Sequence, residues 1–165
     1  MSSHSNALPP AFQKLALSNL MAQSAEQLTL AAVPIVAVLL LEAGPGEIGI
    51  IAAVQSLPFL LLSIPLGLLA DRISRKKLML LSEILRVLAL MVLIAALLVG
   101  QISVSLLAVV GFFAAVGTVG FSVSAPSLVP ALVTRDNLAK ANGRLELARS
   151  MAFAGRPALA GALIA

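Results

Sequence analysis

Five long stretches of the chain are almost uninterrupted in apolar side chains, and short polar segments separate them. A helix needs about 20 such residues to cross a hydrocarbon core of about 30 Å, since each residue advances it by about 1.5 Å. The stretches at 15–41, 48–70, 78–99, 102–128 and 143–165 all meet that length. The fifth opens at the turn signal Asn142-Gly143 or a little before it. Strands of a membrane barrel are short and alternate apolar with polar positions, which these runs do not. The pattern predicts an all-α integral membrane protein of about five transmembrane helices behind a short polar tail at 1–14. The tail contains Pro9-Pro10 and lacks the basic n-region and small-residue cleavage site of a signal peptide, so the first helix is predicted to stay in the mature chain. The last apolar run ends at Leu163-Ile164-Ala165 without the polar flank that anchors a terminal helix. The sequence is therefore expected to be the N-terminal part of a larger protein.

Composition narrows the class. Apolar residues make up 60% of the chain and charged residues 11%, with a mean hydropathy of +1.07. Soluble domains run about 45–50% apolar and about 25% charged, so too few charges remain here to cover a water-facing surface. The chain has no Cys, which excludes disulfides, thiolate metal sites and thiol chemistry. Its one histidine, His4, excludes His-cluster metal sites, and no HExxH, GxSxG or P-loop pattern occurs. No enzyme activity, metal or cofactor is expected. The net charge of +4 does not point to nucleic acid, because the positive residues lie between apolar runs. The expected surroundings are a lipid bilayer.

Where those positives fall sets the orientation. The segment between the second and third stretches carries Arg72, Arg75, Lys76 and Lys77. The connection before the fifth carries Arg135, Lys140 and Arg144, with Arg149 just beyond, and Lys14 flanks the first. The other two connections hold no Lys or Arg; one contains Glu42 and Glu47. Of the 11 positive residues, all but Arg86 and Arg156 fall on one side. By the positive-inside rule that side, with the N-terminus, is cytoplasmic.

The second stretch ends in Gly67-Leu68-Leu69-Ala70-Asp71-Arg72-Ile73-Ser74-Arg75-Lys76-Lys77. This resembles the signature loop of the major facilitator superfamily, which reads glycine, any residue, leucine, alanine, aspartate, arginine, any residue, glycine, arginine, then arginine or lysine. Gly67, Leu69, Ala70, Asp71, Arg72, Arg75 and Lys76 match, and Ser74 stands where the family has glycine. If that position needs a positive φ, serine there carries strain. Gly67 is expected to let a neighbouring helix approach closely. The resemblance implies that Asp71 helps latch the two halves of a transporter in one state of its cycle. Ala141-Asn142 and Pro157 to Gly161 are similar to the exporter branch that holds macrolide-efflux and siderophore-export proteins, with Arg156 departing where a glycine is expected. The resemblance spans the chain from Leu15 onward. It implies a fold of about twelve helices in two bundles, with substrate bound at mid-membrane between them. This chain supplies most of the first bundle.

Ionisable and amide side chains at membrane depth point to a pathway or a partner. Glu26 lies about 16 Å along the first helix from Leu15, near the midplane. Asn19, Gln23 and Gln27 repeat at i, i+4 and i+8 beside it, a polar stripe on an apolar helix, and Pro34 further along permits a kink. The exporter branch often has an acidic residue at this point, so the resemblance also implies a transport role for Glu26. Gln55 and Ser63 share a face of the second helix and are candidate pathway residues. Glu83 and Arg86 are three apart and expected to pair, with Arg86 snorkelling back to the cytoplasmic interface. Arg156 is a candidate to pair with Glu26 or to line the pathway. Gly117, Gly120, Ser124 and Ser127 form a small-residue face on the fourth helix, expected to serve helix packing.

The expected function is secondary transport in the bacterial inner (plasma) membrane: export of a small-molecule substrate of drug, macrolide or siderophore type, coupled to protons. Sodium coupling stays open, and the substrate is not legible. The alternative is a small polytopic scaffold or sensor without transport activity, against which the bare apolar end at Ala165 speaks.

Overall fold

The computed structural model describes residues 9–164; the side chains of Leu28 and of residues 156–164 lie outside the description. It is a bundle of five long helices: α1 Pro10–Leu41, α2 Pro45–Arg72, α3 Arg75–Val99, α4 Val104–Leu132 and α5 Leu138–Ile164. A single 3₁₀ turn, Arg135–Asn137, precedes α5. No strand occurs among the described residues.

Local chemistry fixes the helix ends. Pro10 opens α1 and Pro45 opens α2, where a missing N–H costs no helical bond. The Glu47 carboxylate accepts from the Gly44 N–H at 2.9 Å and closes the start of α2. Ser103 Oγ does the same for α4, accepting from the Leu106 N–H at 3.2 Å. At the same end of the bundle, α1 and α3 stop on left-handed residues, Glu42 (φ 51°) and Gly100 (φ 69°). The carbonyls of Ala37 and Ala96 then accept from Ala43 and Gln101, at 3.0 and 2.9 Å.

Several helices outrun the apolar stretches. α1 begins at Pro10, so Phe12 and Lys14 belong to a helix rather than to a tail. α1 also runs unbroken through Pro34. Asp71 and Arg72 are the last turn of α2, which leaves only Ile73 and Ser74 between helices. α5 passes straight through Asn142-Gly143, because the turn is made earlier, at Arg135–Asn137.

Among the described residues four helices are long and apolar enough to cross a membrane: α1, α2, α3 and α4. α5 has the length, but its first half carries Lys140, Arg144, Glu146 and Arg149. α4 is the centre of the bundle. Over half of its most apolar window, 56%, is buried within the protein, against 11% for α2. α2 and α3 pack on α4 and scarcely on each other, while α1 packs on α4 and α5.

Small residues make that central position possible. A Cβ on Gly117 would lie 2.5 Å from Arg86 Cγ and 2.6 Å from the Ser82 carbonyl. Gly120 is pressed as closely by Ser82 Oγ, and Gly111 by the Gln55 amide. α4 is thus notched by glycine where Gln55 of α2 and Ser82 and Arg86 of α3 cross it. At Gly67 the close approach expected from the motif is not found: a Cβ there meets no described atom within 4 Å.

The apolar core falls into two clusters at opposite ends. One joins the start of α1 (Phe12, Leu15) to the end of α4 (Phe121, Ala125, Val129) and the start of α5 (Ala141). The other joins the end of α1 (Val33, Ala37) to the starts of α2 (Ile51) and α4 (Leu107, Ala108). Between them lies a layer of polar side chains.

Candidate functional site

That middle layer is built around Arg86, which is 6% exposed. It leaves α3, passes over the notch at Gly117, and reaches α1. Its guanidinium donates to the Glu83 carboxylate at 2.9 Å and to the main-chain carbonyl of Ala22 at 2.8 Å. The Glu83 pair expected from the three-residue spacing is therefore present. The snorkelling expected of Arg86 is not, because its head is fixed on another helix. An arginine suits this role, since its planar fork serves two acceptors at once.

Ala22 lies one turn before Glu26, so Arg86 grips α1 just beside that carboxyl. Glu26 is half-buried and lines two cavities. The smaller, inner one, about 50 Å³, is lined by Glu26, Gln55, Arg86, Gly111 and Thr118, among others. The outer one is a cleft of about 320 Å³ lined by Asn19, Gln23, Glu26, Phe59, Glu146 and Arg149, among others. No hydrogen bond fixes the Glu26 carboxylate among the described residues, while the charges of Arg86 and Arg149 act on it from the two sides. Gln55 Nε2 is buried without a partner in the inner cavity. A cavity of this polarity has room for a few water molecules, which would satisfy such a donor.

The sequence-derived candidates thus divide. Asn19, Gln23 and Glu26 come together on the outer cleft, and Gln55 joins Glu26 on the inner cavity. Gln27 lines neither; it is 1% exposed, with Oε1 unpartnered. Ser63 turns back to the Phe59 carbonyl of its own helix. The Arg156 side chain lies outside the described residues. Arg149 was not anticipated. Counted from Leu138 it stands about 16 Å along α5, so it is a mid-helix charge and not part of a connection. There it faces the outer cleft, its guanidinium 6.0 Å from the centre of the Phe153 ring. Its mid-helix place follows from α5 starting at Leu138, ahead of the bound at 143.

The loop motif lies at one end of the bundle. Arg75 reaches across to α4 and donates to the Ser127 carbonyl. Asp71, Arg72 and Lys76 are exposed and make no ion pair among the described residues. Ser74 sits at φ −58°, ψ 121°, an extended conformation open to any residue, so serine carries no strain in place of glycine.

The family model of the Major Facilitator Superfamily matches residues 15–165. The chain belongs to that superfamily. Its members are membrane transporters, which fits the four membrane-length helices and makes this a multi-pass membrane protein. No curated protein and no solved structure matches the chain. The loop presents a dense positive end to α2 and α3. The layer presents a carboxyl between two cavities, braced by an arginine that is itself held.

Proposed function

We propose that the chain forms part of a secondary active transporter that exports a small molecule in exchange for protons across the bacterial inner membrane. The observation that carries this reading is the placement of Glu26. A carboxyl at mid-helix depth, without a fixed hydrogen-bond partner among the described residues, is free to bind and release a proton. The outer cleft gives it contact with a solute, and Asn19, Gln23, Glu146 and Arg149 supply the polar contacts that would orient one. The inner cavity and Arg86 give it a second electrostatic setting. A macrolide, drug or siderophore is the substrate type favoured by the similarity of Ala141-Asn142 and Pro157 to Gly161 to the exporter branch.

The remaining assignments follow from this one. The basic end, with Lys14, Arg72, Arg75, Lys76 and Lys77, faces the cytoplasm. Asp71 and its neighbouring cations act as a conformational latch, exchanging partners between states of the cycle rather than touching substrate.

Glu26→Gln tests the reading, because it keeps shape and hydrogen bonding but cannot titrate. In the protein as its gene encodes it, the variant is expected to abolish uphill efflux while retaining substrate binding. The measurement is efflux against a gradient at several external pH values. Wild-type uphill efflux with an unchanged pH profile would reduce Glu26 to a packing residue.

A further inference from the structure

A guanidinium buried to 6% exposure needs acceptors, and Arg86 takes them from two helices. One nitrogen donates to the Glu83 carboxylate at 2.9 Å, within α3. The other donates to the Ala22 carbonyl of α1 at 2.8 Å. In the α1 ladder that carbonyl is also the acceptor for the Glu26 N–H, four residues on. One oxygen thus ties Arg86 to the turn that carries Glu26. The stem of Arg86 lies in the notch at Gly117, where a Cβ would stand 2.5 Å from its Cγ. Arg86 and Glu26 then face a common cavity of about 50 Å³. Every member of this set belongs to α1, α3 or α4, so it holds whatever packs on the outside of the bundle.

Few charges surround Glu26 among the described residues. α3 brings Arg86, with Glu83 behind it. α5 brings Arg149 and Glu146 along the outer cleft. α2 and α4 face it with Gln55, Phe59, Gly111 and Thr118, all uncharged.

We propose that Arg86 is the positioning residue of the Glu26 site: through the Ala22 carbonyl it fixes the turn of α1 that bears the carboxyl, and Glu83 holds it there while balancing its charge. The proposal rests on the reading of Glu26 as the proton-exchanging group. A neutral donor such as asparagine or glutamine would serve for a bond between helices. A buried cation with its own carboxylate is costlier, since both charges must leave water. What the pair adds is a charge at a fixed place beside Glu26. An unopposed guanidinium there would favour the carboxylate and hold the proton off. Glu83 reduces that pull, so that Glu26 keeps both protonation states within reach. Arg86 and Glu83 therefore act on Glu26 in opposite senses, although both stabilise the same contact between α3 and α1.

These opposite senses are measurable. The protein as its gene encodes it is reconstituted in lipid vesicles and followed by infrared spectroscopy as the pH is stepped. The carboxyl C=O band that disappears in Glu26→Gln belongs to Glu26, and its growth gives the midpoint at which Glu26 takes up its proton. Arg86→Gln should move that midpoint to higher pH and Glu83→Gln to lower pH, while both lower the Tm. Arg86→Lys keeps the charge without the fork and should fall between Arg86→Gln and the parent. If Arg86→Gln does not reconstitute, Glu83→Gln decides alone, because its midpoint must still fall. Unchanged midpoints, or midpoints that move the same way in the two variants, overturn the proposal and reduce Arg86 to a brace between helices. The reading of Glu26 survives that outcome, since its band still titrates. If no titrating band is lost in Glu26→Gln, that reading falls and the proposal falls with it.

Discussion

Arg86 and Arg75 are both on α3, three turns apart, and they live in different worlds. Arg86 is buried, with a carboxylate and a main-chain carbonyl as fixed partners and a glycine notch cut for its stem. Arg75 is exposed, and one carbonyl of α4 is its described partner. The same division runs through the two regions they represent. In the middle layer Arg86 is held both by its own helix, at Glu83, and by α1, at the Ala22 carbonyl, so shape and electrostatics are locked together there. At the basic end Asp71, Arg72, Lys76 and Lys77 are exposed and make no ion pair among the described residues. Substitutions should therefore be felt in stability in the first region and scarcely in the second.

The sharpest way to break that contrast is Arg86→Ala. It removes the link from α3 to α1 and strands Glu83, whose side chain is 35% exposed. Removing one partner of a buried pair costs about 3–5 kcal/mol, and the partial exposure of Glu83 favours about 3. Thermal unfolding in detergent should show the loss, and an unchanged Tm would mean that the Ala22 contact contributes nothing. Gly117→Val comes next. Filling the notch displaces Arg86 from below and should cost about 2 kcal/mol by overpacking. A variant as stable as the parent would show that α3 and α4 can separate freely.

Gln55→Leu sharpens the comparison from the other side. It deletes a buried donor that has no protein partner, so stability should hold or rise by about 1 kcal/mol. A marked loss of stability would instead reveal a water network anchored on that amide. The smallest effect is expected at the basic end. Ser74→Gly restores the family's residue, yet φ is already −58°, so there is no strain to relieve. The glycine should lower stability by about 0.5 kcal/mol, through the added freedom of the unfolded chain. An increase in Tm would show that the link between α2 and α3 visits a left-handed conformation.

Much of the fold was legible without coordinates. Long, uniform hydrophobic runs marked out the four membrane-length helices α1 to α4, because a bilayer admits only backbone that satisfies its own hydrogen bonds; the fifth run is a helix too, but charges occupy its first half. The i, i+3 spacing fixed the Glu83–Arg86 pair, since neighbours on one helix face are set by helical geometry alone. The small-residue face of α4 was legible for the same reason, and the structure adds what fills each notch. The mid-helix position of Glu26 followed from counting residues along α1.

Tertiary structure decided the rest. Periodicity says which side chains share a face, but not which helix that face meets. Whether Arg86 snorkelled or crossed to α1 depended on where the Ala22 carbonyl stood, and no local pattern carries that. Gly67 and Gly117 look alike in sequence; only the packing of α3 on α4 made one a notch and left the other open. Arg149 read as a flanking charge until the start of α5 at Leu138 carried it into the outer cleft beside Glu26. The sequence by itself determined the helices, the charged end and the family-type loop, because these arise from backbone chemistry and local order. Which polar groups meet in the middle of the bundle was decided by how five helices pack, because those contacts join residues as far apart as Ala22 and Arg86.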